Sequence, residues 1–460
     1  MPRILRVLLI LFVVSHSVFA IKPKPKKKKR VQRTLAQVVT SYNRQKTFPL
    51  KVSKSGRFLV SQYGEAFLVN ADAGWNLFHK IRLEAARTYI ASRQAKFFNT
   101  IFLQLLPPEP SDRNAYGEAP FHREGDFAMP NEVYFNYVDE ILKSALARQM
   151  LVGINPAWLG CCRNGWYDVQ YNVGPENCRA YGQFLAARFK KYPNLFWIMG
   201  GDRDPLRETV AQRAIAEGIK AESPEQLLTF HAASSHSSTD VFPNENWLDF
   251  SMVYTYFRGK ENVWTTEMPQ VYESARSEWQ KIPAKPFILG ESQYEDENVG
   301  SALMVRRQAY WTILSGGAGH CYGSSVWDFK EDWQQKLNLE GAVDMAHFHK
   351  IMLGLPWEYL RPELSDNLIV EGQSIYGSED YISVGVLPNH RMTLMYLPSG
   401  RPLKIDMEKL KGSNLRAVWI NPRNNKRWIG GYFKPKGIRE LTPPTLREDW
   451  LLLIGNIGKK

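Results

Sequence analysis

From about residue 65 to residue 355 the chain alternates short apolar runs with longer amphipathic ones. The short runs predict strands at Ala66–Asn70, Thr100–Leu105, Leu151–Asn155, Leu195–Met199, Leu227–Phe230, Phe250–Tyr254, Pro286–Leu289 and Ala318–Tyr322. Between them, helical spacing predicts Leu83–Lys96, Asn131–Arg148, Pro175–Tyr192, Leu206–Ala221, Met268–Lys281 and Ser301–Ser315. Pro175 suits a first helical turn, where its missing N–H goes unneeded. Eight strands with mostly helical connections predict an α/β fold, a (β/α)8 barrel.

After about residue 360 the pattern changes. Leu368–Val370, Tyr381–Val386, Met392–Tyr396, Arg416–Trp419 and Trp450–Leu453 are β-type, separated by turn signals such as Pro398-Ser399-Gly400 and Asn421-Pro422. Helix periodicity is nearly absent, apart from a turn near Asp406–Leu410. This texture predicts a small antiparallel β-sandwich. The expected organisation is a catalytic barrel over 46–358 and a sandwich over 359–460.

Residues 1–20 read as a secretory signal: Arg3 and Arg6 precede the apolar Val7–Val14, and cleavage is expected after Ala20. The apolar run is short for a membrane span. A secreted or periplasmic location follows. The formal net charge is +13, and most of it lies in Arg3, Arg6 and the tract Lys22, Lys24, Lys26 to Lys29 and Arg30. Residues 21–45 thus read as a basic, disordered linker. The linker suits contact with an anionic surface or glycan, whereas export argues against nucleic acid as a partner. Four cysteines, Cys161, Cys162, Cys178 and Cys321, allow three full pairings. One of the adjacent Cys161 or Cys162 bridged to Cys178 is the expectation. No His or Cys cluster has metal-ligand spacing, so neither metal nor cofactor is expected. The chain is expected to be a monomer.

Candidate chemistry gathers where apolar runs end. Trp197-Ile198-Met199-Gly200-Gly201-Asp202 and Phe287-Ile288-Leu289-Gly290-Glu291 each stop at glycine and then at one acid. One such segment alone reads as a helix N-cap after a strand. Two acids after strands four and seven of one barrel face each other across its mouth, where such folds keep their active sites. A carboxylate pair there serves as proton donor and nucleophile for glycoside cleavage. Asp202 is assigned as acid/base and Glu291 as nucleophile, although the residues alone leave the order open. Other residues at the strand ends read as substrate contacts: Asp72, Trp75, Gln104, Asn155, Trp158, His231, Tyr254, His320 and Tyr322. Asp72 reads equally as a cap of the first helix, and either histidine as a core residue. Glu109, Asp112 and Glu118 are placed at the cleft rim. Asp296 and Glu297 are taken as solvated loop charges, and Glu295 as a supporting partner. Aromatic residues make up 13% of the chain, which suits stacking on sugar faces.

The ordered series Ala71-Asp72-Ala73-Gly74-Trp75-Asn76-Leu77-Phe78, Arg93-Gln94-Ala95-Lys96-Phe97-Phe98-Asn99, Trp197 to Asp202, Trp247-Leu248-Asp249-Phe250, Gly290 to Glu295 and Arg306 to Trp311 resembles the apiosidase-like glycoside hydrolases, family 140. The chain also looks like that family in ending with a collagen-binding-like β domain. The resemblance covers roughly residues 50–455. It implies a barrel and a retaining mechanism, with the acid/base at Asp202 and the nucleophile at Glu291. It also implies a complex polysaccharide substrate, such as an apiose-bearing side chain of pectin. The alternative from another class is a carbohydrate-binding pseudoenzyme or surface adhesin. A metal-dependent barrel hydrolase would need a His-X-His pair after the first strand, where Asp72 and Trp75 stand instead.

Overall fold

The computed structural model describes residues 47–161, 164–256 and 270–456. The signal segment, the basic linker, Cys162 and the start of the helix expected from Met268 lie outside the described residues.

Eight parallel strands form a nearly closed barrel: β1 Val69–Ala73, β2 Thr100–Gln104, β3 Leu151–Asn155, β4 Leu195–Gly200, β5 Leu228–His231, β6 Ser251–Thr255, β7 Phe287–Ser292 and β8 Gly319–Tyr322. Their order is β5-β4-β3-β2-β1-β8-β7-β6. The ends of this order, β5 and β6, meet through a side chain. Ser238 Oγ donates to Phe230 O at 2.5 Å and accepts from Met252 N at 2.7 Å. Almost every barrel-strand residue is buried, as expected of strands covered on both faces.

The helices longer than four residues are α1 Leu83–Ala95, α2 Glu132–Ala147, α3 Tyr167–Phe189, α4 Thr209–Glu222, α5 Val271–Gln280, α6 Ala302–Leu314 and α7 Glu340–Leu353. Side-chain caps set some starts: Asn131 accepts from Val133 N, and Ser301 from Met304 N. Among the expected barrel elements, one strand and one helix take a different form. The segment expected to form one strand splits at Leu68. Ala66–Phe67 joins Lys51–Val52 and Leu59–Val60 in a small antiparallel sheet, and only the remainder enters the barrel. Helix α3 starts at Tyr167, ahead of Pro175, with a non-helical break at Gly174.

Beyond residue 360 two antiparallel sheets face each other. One has six strands: Arg361–Pro362, Ser383–Val386, Met392–Leu397, Trp450–Gly455, Leu415–Ile420 and Arg427–Phe433 in lateral order. The other has three: Ile369–Glu371, Leu403–Asp406 and Ile438–Leu441. Their shared core includes Trp419, Trp450, Leu403, Ile405 and Leu452. The opposite face of the larger sheet joins the barrel core through Leu394, Tyr396, Val418, Ile420, Leu451 and Leu453. Tyr310 of α6 stacks on Tyr396 at 4.9 Å, and Tyr272 of α5 on Tyr381 at 4.4 Å. The expected disulfide is not formed: Cys161, Cys178 and Cys321 are free thiols. The Cys178 side chain is buried and donates to Gln170 O, within its own helix.

Candidate active site

Strand parity decides which residues reach the barrel mouth. Successive side chains on a strand point to opposite faces. On β1 and β8, Asp72 is paired with Tyr322, and Asn70 with His320. All four point outward, into the helix layer. Asp72 is fully buried against α1, where Tyr89 Oη and Arg93 Nε (2.6 Å) donate to its Oδ2. His320 packs on Phe348 of α7, and burial pushes it down to about 3, so it is neutral. Tyr322 donates to Glu295 Oε2 at 2.6 Å. Asp72, His320 and Tyr322 therefore do not line the cleft, and their expected substrate contacts are corrected to structural roles. Proximity to a strand's end was not enough; the side of the sheet mattered as well.

The other expected residues do converge. Trp75, Gln104, Asn155, Trp158, His231 and Tyr254 line one cleft of about 600 Å³ with Asp202 and Glu291. Each catalytic candidate owes its aim to a local irregularity. Glu291 lies just past a register shift between Leu289 and Glu291, opposite Tyr254. In regular alternation Ile288, paired with Met252, would share Tyr254's inward face, and residue 291 would point outward. The bulge at Gly290 reverses that parity and turns Glu291 inward. A Cβ at 290 would stand 2.0 Å from Met252 Cγ, so glycine is required there. Asp202 has φ +58°, the left-handed region. It follows Gly201 at φ +123°, where a Cβ would come within 2.1 Å of the Trp158 ring. This sharp turn sets Asp202 over the cleft beside Trp158, whose Nε1 donates to Asp202 Oδ2 at 3.0 Å. Aspartate tolerates the left-handed region better than most residues.

One ring joins the two acids. His231 Nε2 lies 2.8 Å from Glu291 Oε2, and Asp202 N donates to His231 Nδ1 at 3.2 Å. In the neutral ring that donation places the proton on Nε2, facing Glu291; Nδ1 also lies 3.1 Å from Ala232 O, which accepts when the ring is protonated. Tyr294 gives Glu291 a further hydrogen bond and accepts from Trp75 Nε1 at 2.8 Å. Side-chain atoms of Asp202, His231 and Glu291 all lie within 4.8 Å of one another. Burial and the Asp202 charge raise the Glu291 carboxyl above its ordinary range; the bonds from His231 and Tyr294 oppose this without cancelling it. Burial lowers His231, but the hydrogen bond and charge of Glu291 outweigh it, with Asp202 adding to them, and the net shift is upward. Glu291 and His231 thus share a proton between them, and their titration belongs to the pair.

Further residues of the cleft were not anticipated. Tyr294 and Tyr256 line it, as do Lys80, Trp327 and Asp328. Glu297, taken for a solvated loop charge, also lines it and accepts from Tyr256 Oη at 3.1 Å and Trp327 Nε1 at 2.5 Å. Tyr294, three positions past Glu291 in the same motif, was legible; Glu297 carried no signal. Glu109 and Asp112 stand at the cleft, whereas Glu118 accepts from Asn131 Nδ2 away from it. Glu295 is buried, and Asp296 pairs with Lys336 at the surface. Among the described residues, Asp202, His231 and Glu291 are also a group close enough to hold a metal ion. An ion there would compete with the His231–Glu291 hydrogen bond.

Comparison with known proteins agrees with this architecture. The model of a family described as "Apiosidase-like, catalytic domain" matches residues 53–359. A second, described as "Putative collagen-binding domain of a collagenase", matches residues 366–455. No curated protein matches the chain. Among solved structures, a glycoside hydrolase is 25% identical, with a TM-score of 0.80 over 90% of this chain and 98% of its own. A family 5 glycoside hydrolase from Bacteroides vulgatus ATCC 8482 is 24% identical, with a TM-score of 0.80 over 90% of this chain and 96% of its own.

Proposed function

The chain belongs to the apiosidase-like glycoside hydrolases, and from that premise we propose that it hydrolyses O-glycosyl bonds with retention, through two carboxylates. One observation carries the reading: Asp202 and Glu291 approach within 4.8 Å in one cleft. Retaining sites hold their carboxyl groups about 5–5.5 Å apart, while inverting ones leave about 6.5–9.5 Å for a water. Glu291 is the nucleophile. His231 and Tyr294 orient its carboxylate and stabilise its charge. It attacks the anomeric carbon while Asp202 protonates the departing oxygen. Asp202 then takes a proton from water, which displaces the glycosyl group from Glu291. Trp158 holds Asp202 in place through both steps.

The proposed substrate is a side chain of a complex polysaccharide, met outside the cell after export. The basic segment before residue 46 adds contact with an anionic surface or glycan. Replacing Glu291 with Gln and Asp202 with Asn tests the mechanism on an activated aryl glycoside. Asp202→Asn is expected to lose about 10²- to 10⁴-fold in turnover. Azide should restore turnover of an Asp202→Ala variant and give a glycosyl azide of retained configuration. Inverted product, or full activity in either acid variant, sinks the reading. Sugar binding with no turnover in the native chain would favour a binding protein instead.

A further inference from the structure

One charge pattern of the chain lies far from the barrel strands. From Lys409 to Arg439 stand nine lysines and arginines and not one aspartate or glutamate. The segment supplies the two outermost strands on one side of the larger C-terminal sheet, Leu415–Ile420 and Arg427–Phe433. Among the described residues, Arg423 alone of the nine forms an ion pair, with Glu448 at 3.0 Å and Asp449 at 3.1 Å. Charges along an edge strand keep it from pairing with another chain. That guard gives no reason for exposed apolar side chains and rings beside the charges.

The cross-strand register groups these residues. Arg416 is paired with Tyr432, Val418 with Ile429 and Ile420 with Arg427, and paired residues share a face. Val418 and Ile420 pack into the barrel core. At the free edge their neighbours run beyond that cover: Tyr432 is 62% exposed and Ile429 57%. Regular alternation would turn Tyr432 away from Arg427, five positions before it. The register shift at Ala417 and Val418, with Gly431 at φ +143°, returns Tyr432 to the same side. The two arginines feel each other: partial burial and the Arg416 charge lower the Arg427 guanidinium from its ordinary value. Arg427 donates only to Asn425 Oδ1, at 3.4 Å from both Nε and Nη2. Two arginines, an exposed ring and an exposed isoleucine thus share one face at the edge of the sheet.

We infer that this edge is a second carbohydrate site, which holds an acidic, uronate-bearing polysaccharide beside the barrel. A guanidinium takes a carboxylate in two parallel hydrogen bonds. Tyr432 offers a ring face for the C–H side of a sugar, and Ile429 extends the apolar strip. Like charge disfavours the chain's own ends as occupants, because the tract from Lys22 to Arg30 and the pair Lys459-Lys460 are basic. It disfavours a second copy of the same edge for the same reason. The sheet is fastened to the barrel through Arg306 and Asp449, so a polymer anchored here stays beside the enzyme. The choice of a glycan as the anion rests on the glycosidase reading of the barrel.

The test measures binding of the full chain to polygalacturonate by calorimetry, with neutral galactan as the control. Glu291→Gln is present throughout, so that no bound glycan is turned over. Polygalacturonate should bind at least about tenfold more tightly than galactan, and raising salt from about 0.05 to 0.5 M should remove most of that difference. Arg427→Gln and Tyr432→Ala alter exposed side chains and leave the core intact. Each should lower polygalacturonate affinity about tenfold, while in the chain that keeps Glu291 neither should change aryl-glycoside turnover. Affinity unmoved by both variants would place polyanion binding elsewhere and overturn the inference. A loss with Arg427→Gln but none with Tyr432→Ala would leave a bare charge patch and overturn it too. So would equal affinity for double-stranded DNA, or binding to collagen without binding to polygalacturonate. All of these results leave the glycosidase reading standing. Polygalacturonate binding that follows both variants, in a chain that turns over no aryl glycoside, would keep the edge as a glycan site and remove the enzyme beside it.

Discussion

The barrel mouth and the contact between the barrel and the C-terminal sheets treat buried polar groups in opposite ways. At the contact the central charges are matched, even though Arg307 Nε and Tyr310 Oη there lack partners. Arg306 of α6 donates to Asp449 through Nε at 2.7 Å and Nη2 at 3.0 Å, and to Asp344 at 2.6 Å. Asp449 also accepts from Tyr396 Oη at 3.0 Å and Arg423 Nη1 at 3.1 Å. At the mouth, acids crowd together, buried amide oxygens go unpaired, and Asp202 holds a left-handed backbone. Satisfied polar groups fasten one part of the fold to another. Unsatisfied ones await a molecule the chain does not contain.

The sharpest way to break this contrast is to change one acid on each side. Glu291→Gln should cut turnover by more than about 10⁴-fold, while its thermal midpoint at neutral pH rises above that of the native chain. Asp449→Ala should do the reverse. It leaves Arg306 with Asp344 and takes the acceptor from Tyr396 and Arg423, a loss of about 3–5 kcal/mol for a buried pair with one partner removed, while activity per folded molecule survives. Calorimetry and aryl-glycoside kinetics on both proteins decide the matter. A Glu291→Gln protein less stable than the native chain would show that the mouth carries no built-in strain.

The pH dependence sharpens the point. The folded pKa of Glu291 is raised above its ordinary 4.5, so the folded state binds that proton more tightly than the unfolded one. The destabilisation is absent below 4.5, grows as pH rises towards the folded value, and is complete above it. His231 adds the same sign: its pKa is raised from 6.5, so its contribution is whole below 6.5 and is lost as pH climbs through the folded value. Midpoints of native and Glu291→Gln proteins should converge in acid and separate towards neutrality, and activity should fail in acid above the usual carboxylate range. Parallel stability curves would contradict the assignment.

The smallest expected effect concerns Trp158. Trp158→Phe removes a hydrogen bond to an ionisable group, about 1.5–3 kcal/mol in general. It should lower turnover by about ten- to a hundredfold with stability nearly unchanged. Unaltered kinetics would mean that the turn alone positions Asp202.

Much of the fold was legible. Strand β3 falls on Leu151–Asn155 as expected, and α1 and α6 end within a residue or two of their predicted limits. Helix α7 and the strands Leu403–Asp406, Arg427–Phe433 and Ile438–Leu441 were not anticipated. The exposed Arg427–Phe433 and Ile438–Leu441 lack the clean alternation that marks a half-buried strand. The two acids were readable because glycine and a carboxylate close each apolar run. Asp72, His320 and Tyr322 were misplaced for a different reason: strand ends were visible in the sequence, but which face each side chain takes was not.

The amino-acid sequence by itself determined where strands, helices and the acids beyond them lie, because burial periodicity and glycine are local properties of the chain. Only the tertiary structure decided which of those residues meet. Barrel closure brings positions 202, 231 and 291 together. The bulge at Gly290 sets the parity of Glu291. Neither follows from local spacing, because a one-residue shift in register moves a side chain from the cleft to the helix layer without altering the apolar pattern that marks the strand.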